Sequence, residues 1–481
     1  MKDIVLLHRN LRLADNPALY YGSLRRNYCA LFVFDEAYWE GNGRSNRQLK
    51  FALECLRELD ESLCQLNAKV QVFCGSLINL ADVLNSSFPN AKIHLNQCTD
   101  IGYYRDAIAR FKLAIGPSRF KEYSDFGVQR LNFDRDRWSR DWERQMREPI
   151  LTNPMASEEV DLKSSCLIGV DDFLDLNKAK FSLYPNIQEG GSKNAALLLD
   201  TFLNSRCDGY KTKMSNPNDA EQACSRLSPH LAFGSISMRT VFQKLESSVP
   251  RSPFKSDLNS FKKRLYWHCH FVQKLETEPE LEFRSMHPMC DDLRESYNDE
   301  IIEKWILGQT GFPFLDACIL FLRDKGWINF RMRAMIMSFA SYNLWQPWQK
   351  TSPLLAELFV DYEPGIHISQ VQMQSGVTGI NLPRIYSVTK QSVEQDPYLQ
   401  WTTKRLPILA GLDQKNTHEA ELEGLYLEKI VDLKSSAKRA RDLIWGIRGS
   451  PEFKNLARKV YLKHGSRKRQ TRFAGTNRSL K

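Results

Sequence analysis

Short apolar runs alternate with helical patterns over the first 130 residues of the chain. Four of these runs, Ile4–His8, Leu31–Phe34, Lys69–Phe73 and Ile93–Leu95, have the length and composition of buried β-strands. Between the second and third runs, residues 47–63 carry leucine and phenylalanine near helical spacing. Strands that alternate with helices predict a parallel, Rossmann-like α/β sheet in the N-terminal domain.

The strand-like pattern ends near residue 195, and helical periodicity dominates the rest of the chain. Residues from about 150 to 195 are rich in serine, asparagine, glycine and aspartate, which is typical of a connecting segment. Helical patterns follow at Leu197–Leu203, Phe261–Leu275, Phe314–Leu322 and Met335–Leu344. We therefore predict an α/β domain at 1–135, a long wrapped connection at 136–195, an all-helical domain at 196–465 and a tail at 466–481.

The composition is that of a globular protein without a membrane span. Of the 481 residues, 42% are hydrophobic and 26% are charged, and the length suffices for two or three domains. No run of about 18 apolar residues occurs, and the first apolar run is too short for a signal peptide. We expect a cytoplasmic monomer.

The cysteine pattern argues against a disulfide scaffold and against a zinc site. Eleven cysteines are scattered singly, without a CxxC pair, and none lies beyond Cys318. His268 and His270 flank Cys269, but residues at this spacing point to different faces of a helix, so we expect no metal.

Positive charge is concentrated at the C-terminus. Residues 434–481 hold fifteen lysines and arginines but only two acids, Asp442 and Glu452, whereas the whole chain has a net charge of +10. A solvated helix face with a frayed tail explains part of this pattern. A surface that follows nucleic-acid phosphates explains it as well.

Four motifs occur in a fixed order along the chain. Arg9–Leu19 reads RNLRLADNPAL, and Ser225–Ser237 reads SRLSPHLAFGSIS. Gly311–Arg333 contains GFPFLDA and GWINFRMR, and RIY and QDP follow at Arg384–Tyr386 and Gln395–Pro397. Over residues 4–465 these motifs resemble the signatures of the DNA photolyase/cryptochrome family. Without the C-terminal cysteines of its iron–sulfur branch, the chain looks like an atypical bacterial-type photolyase.

The resemblance implies an α/β N-terminal domain and an all-α C-terminal domain that binds FAD. Ser225 and Ser228 stand at the start of a helical pattern, where free N–H groups suit an anion, although an ordinary N-cap explains the same serines. By the resemblance, the phosphate-binding residues are Tyr210, Cys224, Ser225, Arg226, Leu227 and Ser228. The implied residues around the flavin ring are Trp267, Phe330, Arg333, Asp361, Glu363 and His367.

The electron-transfer chain typical of the family is incomplete in this sequence. Trp348 matches its middle tryptophan, but Val371 and Glu295 occupy the inner and outer positions. Other aromatic residues offer a different route, namely Trp327, Trp345, Tyr342 and Tyr386. The catalytic aromatic residues that we infer from the resemblance are Trp348, Trp345 and Trp267.

The lesion-binding positions also depart from the family pattern. Cys269 takes the place of a glutamate, Phe330 that of an asparagine and Met373 that of a tryptophan. Further DNA-contact residues implied by the resemblance are His270, Arg384 and Lys468. Repair of (6-4) products needs an acid, and the matching positions hold Asn329 and Phe330 instead of histidine.

The function that the resemblance implies is light-driven repair of cyclobutane pyrimidine dimers in UV-damaged DNA. Reduced FAD would be the electron donor, and the lesion would be flipped out of the duplex. The alternative is a cryptochrome-like blue-light receptor, which the substituted lesion positions favour and the basic C-terminal segment opposes. A general flavin oxidoreductase is disfavoured because the chain has no nicotinamide fingerprint. A second, light-harvesting chromophore is common in the family, and its presence here stays open.

Overall fold

A six-stranded sheet forms the core of the N-terminal domain. The computed structural model describes residues 2–41, 43–125, 127–130, 133–158 and 166–466. The strands are β1 (Asp3–Leu7), β2 (Tyr28–Phe34), β3 (Val70–Cys74), β4 (Lys92–Asn96), β5 (Phe120–Tyr123) and β6 (Leu167–Gly169). Their order is β5-β4-β1-β2-β3-β6, and all pairs are parallel except β3 with β6. The predicted parallel α/β sheet is confirmed.

The sheet lies between layers of helices, which explains why its central strands are continuously apolar. Val5 of β1 is opposite Ala30 of β2 and His94 of β4, and every residue of β1 is buried. The helices of this part of the chain are α1 (Pro17–Ser23), α2 (Glu36–Trp39), α3 (Asn46–Cys64), α4 (Leu77–Ser87), α5 (Gly102–Ile115), α6 (Trp138–Met146) and α7 (Val170–Phe181).

The rest of the chain that the structure describes is helical, as predicted. Its α-helices are α8 (Ser192–Thr201), α9 (Tyr210–Lys213), α10 (Pro217–Ala223), α11 (Ser228–Ala232), α12 (Met238–Ser248), α13 (Lys255–Thr277), α14 (Asp299–Leu307), α15 (Pro313–Lys325), α16 (Phe330–Ser338), α17 (Trp348–Leu358), α18 (Pro364–Ser375), α19 (Val388–Gln395), α20 (Gln400–Arg405), α21 (Gln414–Glu419), α22 (Leu433–Arg448) and α23 (Pro451–His464). Single π-helical turns follow α8 and α16, at Phe202–Arg206 and Phe339–Asn343. Within the described ranges, no helix combines the length and the apolar composition that a bilayer crossing requires.

The predicted connection at 136–195 contains regular structure that belongs to both domains. Helix α6 buries Trp138 and Trp142 in the same apolar cluster as Leu199 and Phe261 of the helical domain. Strand β6 instead extends the sheet, because it pairs with β3. The domain boundaries at 135 and 195 stay predictions, and the segment between them packs on both sides.

The two domains meet where the first two sequence motifs touch. Arg9 Nε donates to the backbone oxygen of Ala232 over 2.7 Å, and Leu11 N donates to the backbone oxygen of Phe233 over 3.1 Å. Gly234 has a φ of +68°, and a Cβ on it would lie 2.1 Å from the backbone oxygen of Arg9. Only glycine allows this approach. The helical domain is therefore fixed directly against the carboxyl end of β1.

Candidate functional site

A two-pronged ion pair joins Arg333 of α16 to Asp361, which precedes α18. Arg333 Nη1 and Nη2 donate to the two carboxylate oxygens of Asp361 over 3.0 and 2.8 Å. Arg333 Nε donates to the backbone oxygen of Ile328 over 2.6 Å, and its guanidinium carbon lies 4.2 Å from the centre of the Phe359 ring. The fork geometry fixes the positive charge of Arg333 in one place.

His367 of α18 lies within electrostatic reach of this ion pair and is a neutral imidazole. Its Nε2 is 3.0 Å from both the hydroxyl and the backbone oxygen of Ser352. Because a carbonyl oxygen only accepts, Nε2 carries the proton and Nδ1 keeps a lone pair. Burial lowers the pKa of His367 to about 4, and the charge of Arg333 acts in the same direction. His367 is therefore an uncharged hydrogen-bond acceptor at neutral pH.

Glu363 connects this region to the first sequence motif. Its Oε2 pairs with Nη2 of Arg9, and both side chains are buried. Arg9 Nη1 also donates to the backbone oxygen of Thr99 over 2.7 Å. The other oxygen of Glu363, Oε1, has no hydrogen-bond partner among the residues that the structure describes. A buried carboxylate oxygen without a partner suits a ligand that donates a hydrogen bond to it.

The segment Cys224–Ser228 lies over the guanidinium group of Arg206. Arg206 Nη1 donates to the backbone oxygen of Cys224 over 2.5 Å, and Nη2 donates to that of Ser225 over 3.3 Å. Arg226 has a φ of +61° and places its guanidinium carbon 3.9 Å from the centre of the Trp327 ring. The two serines of the segment are half-buried and its leucine is buried. The backbone of Cys224–Ser228 is thus held by Arg206, which lies in the π-helical turn Phe202–Arg206.

Residues that are far apart in sequence converge around the Cys224 thiol. Burial raises the pKa of this thiol to about 11, and four arginines oppose that shift, namely Arg226, Arg206, Arg333 and Arg264. Arg226 also interacts with Asp361. Tyr210 lies nearby in the fold, buried between the rings of Phe202 and Phe261. The segment Cys224–Ser228 and the Arg333–Asp361 ion pair therefore lie within electrostatic reach of each other.

Two family models match the chain. The model described as the FAD binding domain of DNA photolyase matches residues 261–446, and the model described as DNA photolyase matches residues 3–104. The chain belongs to the DNA photolyase/cryptochrome family. Its helical domain is the FAD-binding domain of that family.

Relatives in the family include both photolyases and cryptochromes. The chain is 25% identical to the deoxyribodipyrimidine photo-lyase of Streptomyces griseus, over 92% of this chain and 99% of that protein. It is 24% identical to Cryptochrome-2 of Gallus gallus, over 85% and 75% of the two chains. The fold resembles the Synechocystis cryptochrome, with a TM-score of 0.80 at 18% identity over 92% and 99% of the two chains. An archaeal photolyase from Sulfolobus tokodaii with two FAD molecules gives a TM-score of 0.78 at 22% identity over 93% and 100%.

The residues around Cys224 fit the pyrophosphate of FAD by charge. Arg206 hydrogen-bonds to backbone oxygens and to the hydroxyl of Thr201. Arg226 donates through Nε to Gln188 and has the acids Glu221 and Asp361 within electrostatic reach, but its Nη1 has no hydrogen-bond partner among the described residues. Buried arginines require an anion or a full set of acceptors. Arg206 has such a full set of acceptors, so the need for an anion falls on Arg226, and a dinucleotide phosphate would meet it.

The crevice at the carboxyl end of β1 is filled by side chains. In open α/β sheets ligands bind at this edge. Here the ring of His8 stacks on Tyr104 with centroids 3.6 Å apart, while Asp100 accepts from Tyr38 over 2.9 Å and from Arg44 over 2.6 Å. The remaining cavity is about 20 Å³, enough for about one water molecule. With its side chains in this arrangement, the crevice has no room for a second chromophore.

The same crevice brings together three groups that resemble metal ligands. His8, Cys98 and Asp100 place their ligand atoms within 4.8 Å of one another. Arg44 Nη2 is already 2.6 Å from Asp100, and Arg9 Nη1 is 3.8 Å from it. Their positive charges oppose a cation at this place.

Trp348 and Trp345, two of the aromatic residues predicted to relay electrons, have different surroundings. Trp348 is buried, and its Nε1 donates to the hydroxyl of Ser285 over 3.1 Å. Trp345 is half-buried with a φ of +55°, and the guanidinium carbons of Arg294 and Arg439 lie 4.4 and 5.8 Å from its ring centre. Loss of an electron leaves a positive ring, which two neighbouring cations disfavour. Of these two residues, Trp348 has the surroundings better suited to a relay.

Trp267, in the middle of α13, and Phe330, the first residue of α16, are both exposed aromatic residues. Trp267 is 39% exposed and Phe330 is 51% exposed. The ring of Trp267 stacks on Phe271 at 5.6 Å and meets His270 edge-on at 5.3 Å. Of the other predicted DNA contacts, Met373 is half-buried, Arg384 is exposed, and Lys468 lies outside the described residues.

The placement of Cys269 on the lesion face is corrected by the structure. Its side chain is fully buried in the cluster with Trp138 and Trp142, and burial raises its thiol pKa to about 12. Cys269 follows the exposed Trp267 by two residues, which turns it towards the opposite side of α13. Asn329 is also buried, and its Nδ2 donates to the backbone oxygens of Met214 and Ser215. Neither residue is available to DNA.

His270 is buried as well and acts within the protein. Its Nδ1 lies 2.9 Å from Nη2 of Arg135. The sequence motifs gave no signal for this contact or for Arg206, since neither arginine stands in a motif.

Proposed function

We propose that this protein is a light-driven DNA repair enzyme that splits cyclobutane pyrimidine dimers. Reduced FAD, when bound, would supply the electron for opening the dimer, with the electron returning to it and no net redox change. The observation that carries the proposal is the exposed ring of Trp267, which stands on a helix packed against residues that we expect to bind FAD. Trp267 stands on α13, and α13 packs against α18, which carries His367.

Arg333, Asp361 and His367 would set the electrostatics of the flavin site. Arg333 holds a fixed positive charge that stabilises negative charge nearby, and Asp361 keeps that guanidinium in one orientation. His367 adds no charge, because its pKa is lowered to about 4 by burial. Its free Nδ1 lone pair can accept a hydrogen bond from a ring N–H.

Trp267 and Phe330 would receive the flipped-out lesion. A dimer inside a duplex is out of reach, so its bases must leave the stack, and aromatic side chains replace the lost stacking. The exposed face of Trp267 provides such a platform. Phe330 adds apolar surface but no hydrogen bond, so we expect recognition by stacking and by phosphate contacts.

A cryptochrome-like blue-light receptor is the second candidate. The buried Cys269 and the apolar Phe330 leave the lesion side without the carboxylate and amide groups expected of a repair enzyme. The similarity to Cryptochrome-2 of Gallus gallus also supports a receptor function. The photo-lyase of Streptomyces griseus, which is matched over 99% of its length, supports repair.

A repair assay separates the two candidates. Purified protein with reduced flavin is illuminated with blue light in the presence of oligonucleotides that carry a cyclobutane dimer or a (6-4) product, single-stranded and duplex. We expect dimers to return to monomers and (6-4) products to persist, with dark samples as the control. Intact flavin photochemistry without repair of either lesion would assign the protein to the receptor class. In keeping with a repair role, we propose UV-damaged DNA as the partner of a cytoplasmic monomer.

A further inference from the structure

Cys74 and Cys166 are two exposed cysteines at one edge of the sheet. Cys74 is the last residue of β3, and Cys166 stands immediately before β6. The two residues are far apart in the chain, and neither stands in one of the four sequence motifs or in the candidate FAD site. The sequence therefore gives no reason to connect them, and the connection comes from the fold.

The pairing of the two strands places these cysteines opposite each other. Strand β6 runs antiparallel to β3. The paired residues are Gln71 with Gly169, Val72 with Ile168 and Phe73 with Leu167. One further step of the same register brings Cys74 opposite Cys166. Directly opposite residues of antiparallel strands have Cα atoms about 4.5 or 5.5 Å apart. Disulfide bonds join Cα atoms about 4.4 to 6.8 Å apart, so either spacing permits a bond.

The same two cysteines line one cavity at this edge of the sheet. The cavity has a volume of about 570 Å³, and its lining also includes Ile168 of β6 and Asn79 and Asp82 of α4. A small molecule in this cavity can therefore reach both sulfur atoms. Among the residues that the structure describes, the two thiols and Asp82 are not close enough together to form a three-ligand metal site. The arrangement favours a reaction between the two cysteines.

We propose that Cys74 and Cys166 form a reversible disulfide bond on exposure to a small-molecule disulfide such as oxidised glutathione. Attack of one thiolate on the small disulfide forms a mixed disulfide and releases one small thiol. Attack of the second cysteine on the protein-side sulfur then forms the Cys74–Cys166 bond and releases the second small thiol. The protein loses two electrons and two protons, and the small disulfide gains them.

The surroundings of the two thiols set the access and the rate of this exchange. Of the eleven cysteines, only Cys64, Cys74 and Cys166 are exposed. Cys166 also has a partner of its own in the fold, which the reaction does not require to be absent, because only its sulfur atom reacts. Partial burial raises the pKa of Cys74, so its thiolate is scarce at neutral pH and we expect slow exchange.

The bond would fix a short edge strand. Strand β6 has three residues, all of them half-buried, and β3 is its one neighbour among the strands that the structure describes. Strand β6 lies in the predicted connection at 136–195 and leads directly into α7. Oxidation would therefore attach this connection covalently to the sheet, and reduction would release it. Disulfides in cytosolic proteins are usually transient and redox-sensing, as this one would be.

Peptide mapping after alkylation of the remaining thiols tests the bond. The full chain with its flavin is incubated with oxidised glutathione in the dark, so that flavin photochemistry plays no part. We expect a peptide pair linked through Cys74 and Cys166. Cys64→Ser is the matched control, because Cys64 is exposed but does not line the cavity, and it should form the same link. Cys74→Ser and Cys166→Ser should instead stop at a glutathione adduct on the remaining cysteine, with flavin content as the check on folding.

The possible outcomes are distinct. Glutathione adducts on Cys74 and Cys166 of the wild type without a link between them would overturn the proposal, and so would unmodified thiols at both positions or a link from either of them to Cys64. The melting temperature of the linked wild type should exceed that of the reduced protein by about 2 °C or more, and Cys166→Ser should show no such rise. Equal melting temperatures at complete linkage would overturn the fixation of β6. None of these outcomes depends on DNA repair.

Discussion

The guanidinium carbon of Arg294 lies 4.4 Å from the centre of the Trp345 ring. Arg294 is 5% exposed and donates to two backbone oxygens, and burial lowers its pKa to about 10. Arg439 approaches the same ring to 5.8 Å. A tryptophan between two cations is hard to oxidise, since the product is a positive radical. Trp348 donates to a neutral serine hydroxyl, and no lysine or arginine of the described residues lies over its ring.

Photoreduction of the bound flavin should therefore depend on Trp348 more than on Trp345. We expect Trp348→Phe to slow photoreduction under blue light by about tenfold or more, equivalent to at least ~1.4 kcal/mol in the barrier. Trp345→Phe should change the rate less than about twofold. Both variants are compared at equal flavin content, measured by absorbance after denaturation. Equal slowing in the two variants would show that the electron passes Trp345 despite its two arginines.

The sequence predicts the strands β1 to β4, whose apolar residues are largely buried, but it does not predict the short edge strands β5 and β6. All five residues of β1 are buried, so the strand is a continuous apolar run. Strand β6 has three residues, and its hydrogen bonds are supplied by β3, which no local pattern reveals. The site shows the same division. Arg333 and Asp361, both named from the resemblance, form an ion pair in the structure, whereas Arg206 reaches the segment Cys224–Ser228 from outside any motif.

The fixed charge of Arg333 should raise the reduction potential of the flavin. Arg333→Met removes a cation that favours negative charge in the site, and we expect the midpoint potential to fall by about 60 mV, a tenfold change for one electron. Arg331→Met is the matched control on α16, because Arg331 contacts Gln391 instead of Asp361. Spectroelectrochemical titration measures the midpoint potential of the flavin in both variants. An unchanged potential in Arg333→Met at full flavin content would contradict a tuning role for the ion pair.

Because His367 is buried as a neutral imidazole, we expect the free energy of unfolding to decrease in mild acid. Its folded-state pKa is lowered to about 4 by burial, below the ordinary value of 6.5. The unfolded chain therefore binds the proton first as the pH falls, and stability decreases between pH 6.5 and 4. His367→Gln should flatten the pH dependence of the unfolding free energy in that window by at most ~1.4 kcal/mol per pH unit. Chemical denaturation at several pH values checks this, and identical slopes in variant and wild type would contradict the neutral, buried state.

The filled crevice at β1 predicts about one FAD per chain and no second chromophore at that edge. The stacked pair of His8 and Tyr104 occupies the space that a second ring system would need. Flavin released by denaturation, divided by protein concentration, gives the ratio, and the absorbance spectrum shows any other chromophore. A ratio near two, or a second absorbing species lost in Tyr104→Trp, would show that these side chains move aside for a ligand.

Substitution of Trp267 should lower the affinity for damaged DNA, and substitution of Cys269 should not. Trp267→Ala removes an exposed stacking surface, so affinity for a dimer-containing single strand should fall about tenfold, in line with stacking energies of ~1–3 kcal/mol. Cys269→Ala should leave that affinity within about twofold and instead reduce stability by about 1 kcal/mol, because its sulfur is fully buried beside Trp142.

Binding titrations and denaturation curves of the two variants give both quantities, with flavin content as the control for folding of the site. Loss of lesion affinity in Cys269→Ala at normal stability would restore the sequence-based placement of this residue on the DNA side. That result would also require a different rotation of α13, since residues two apart on a helix lie about 200° apart around its axis. Trp267 and Cys269 cannot both face the strand, and the burial of the cysteine assigns the exposed face to the tryptophan.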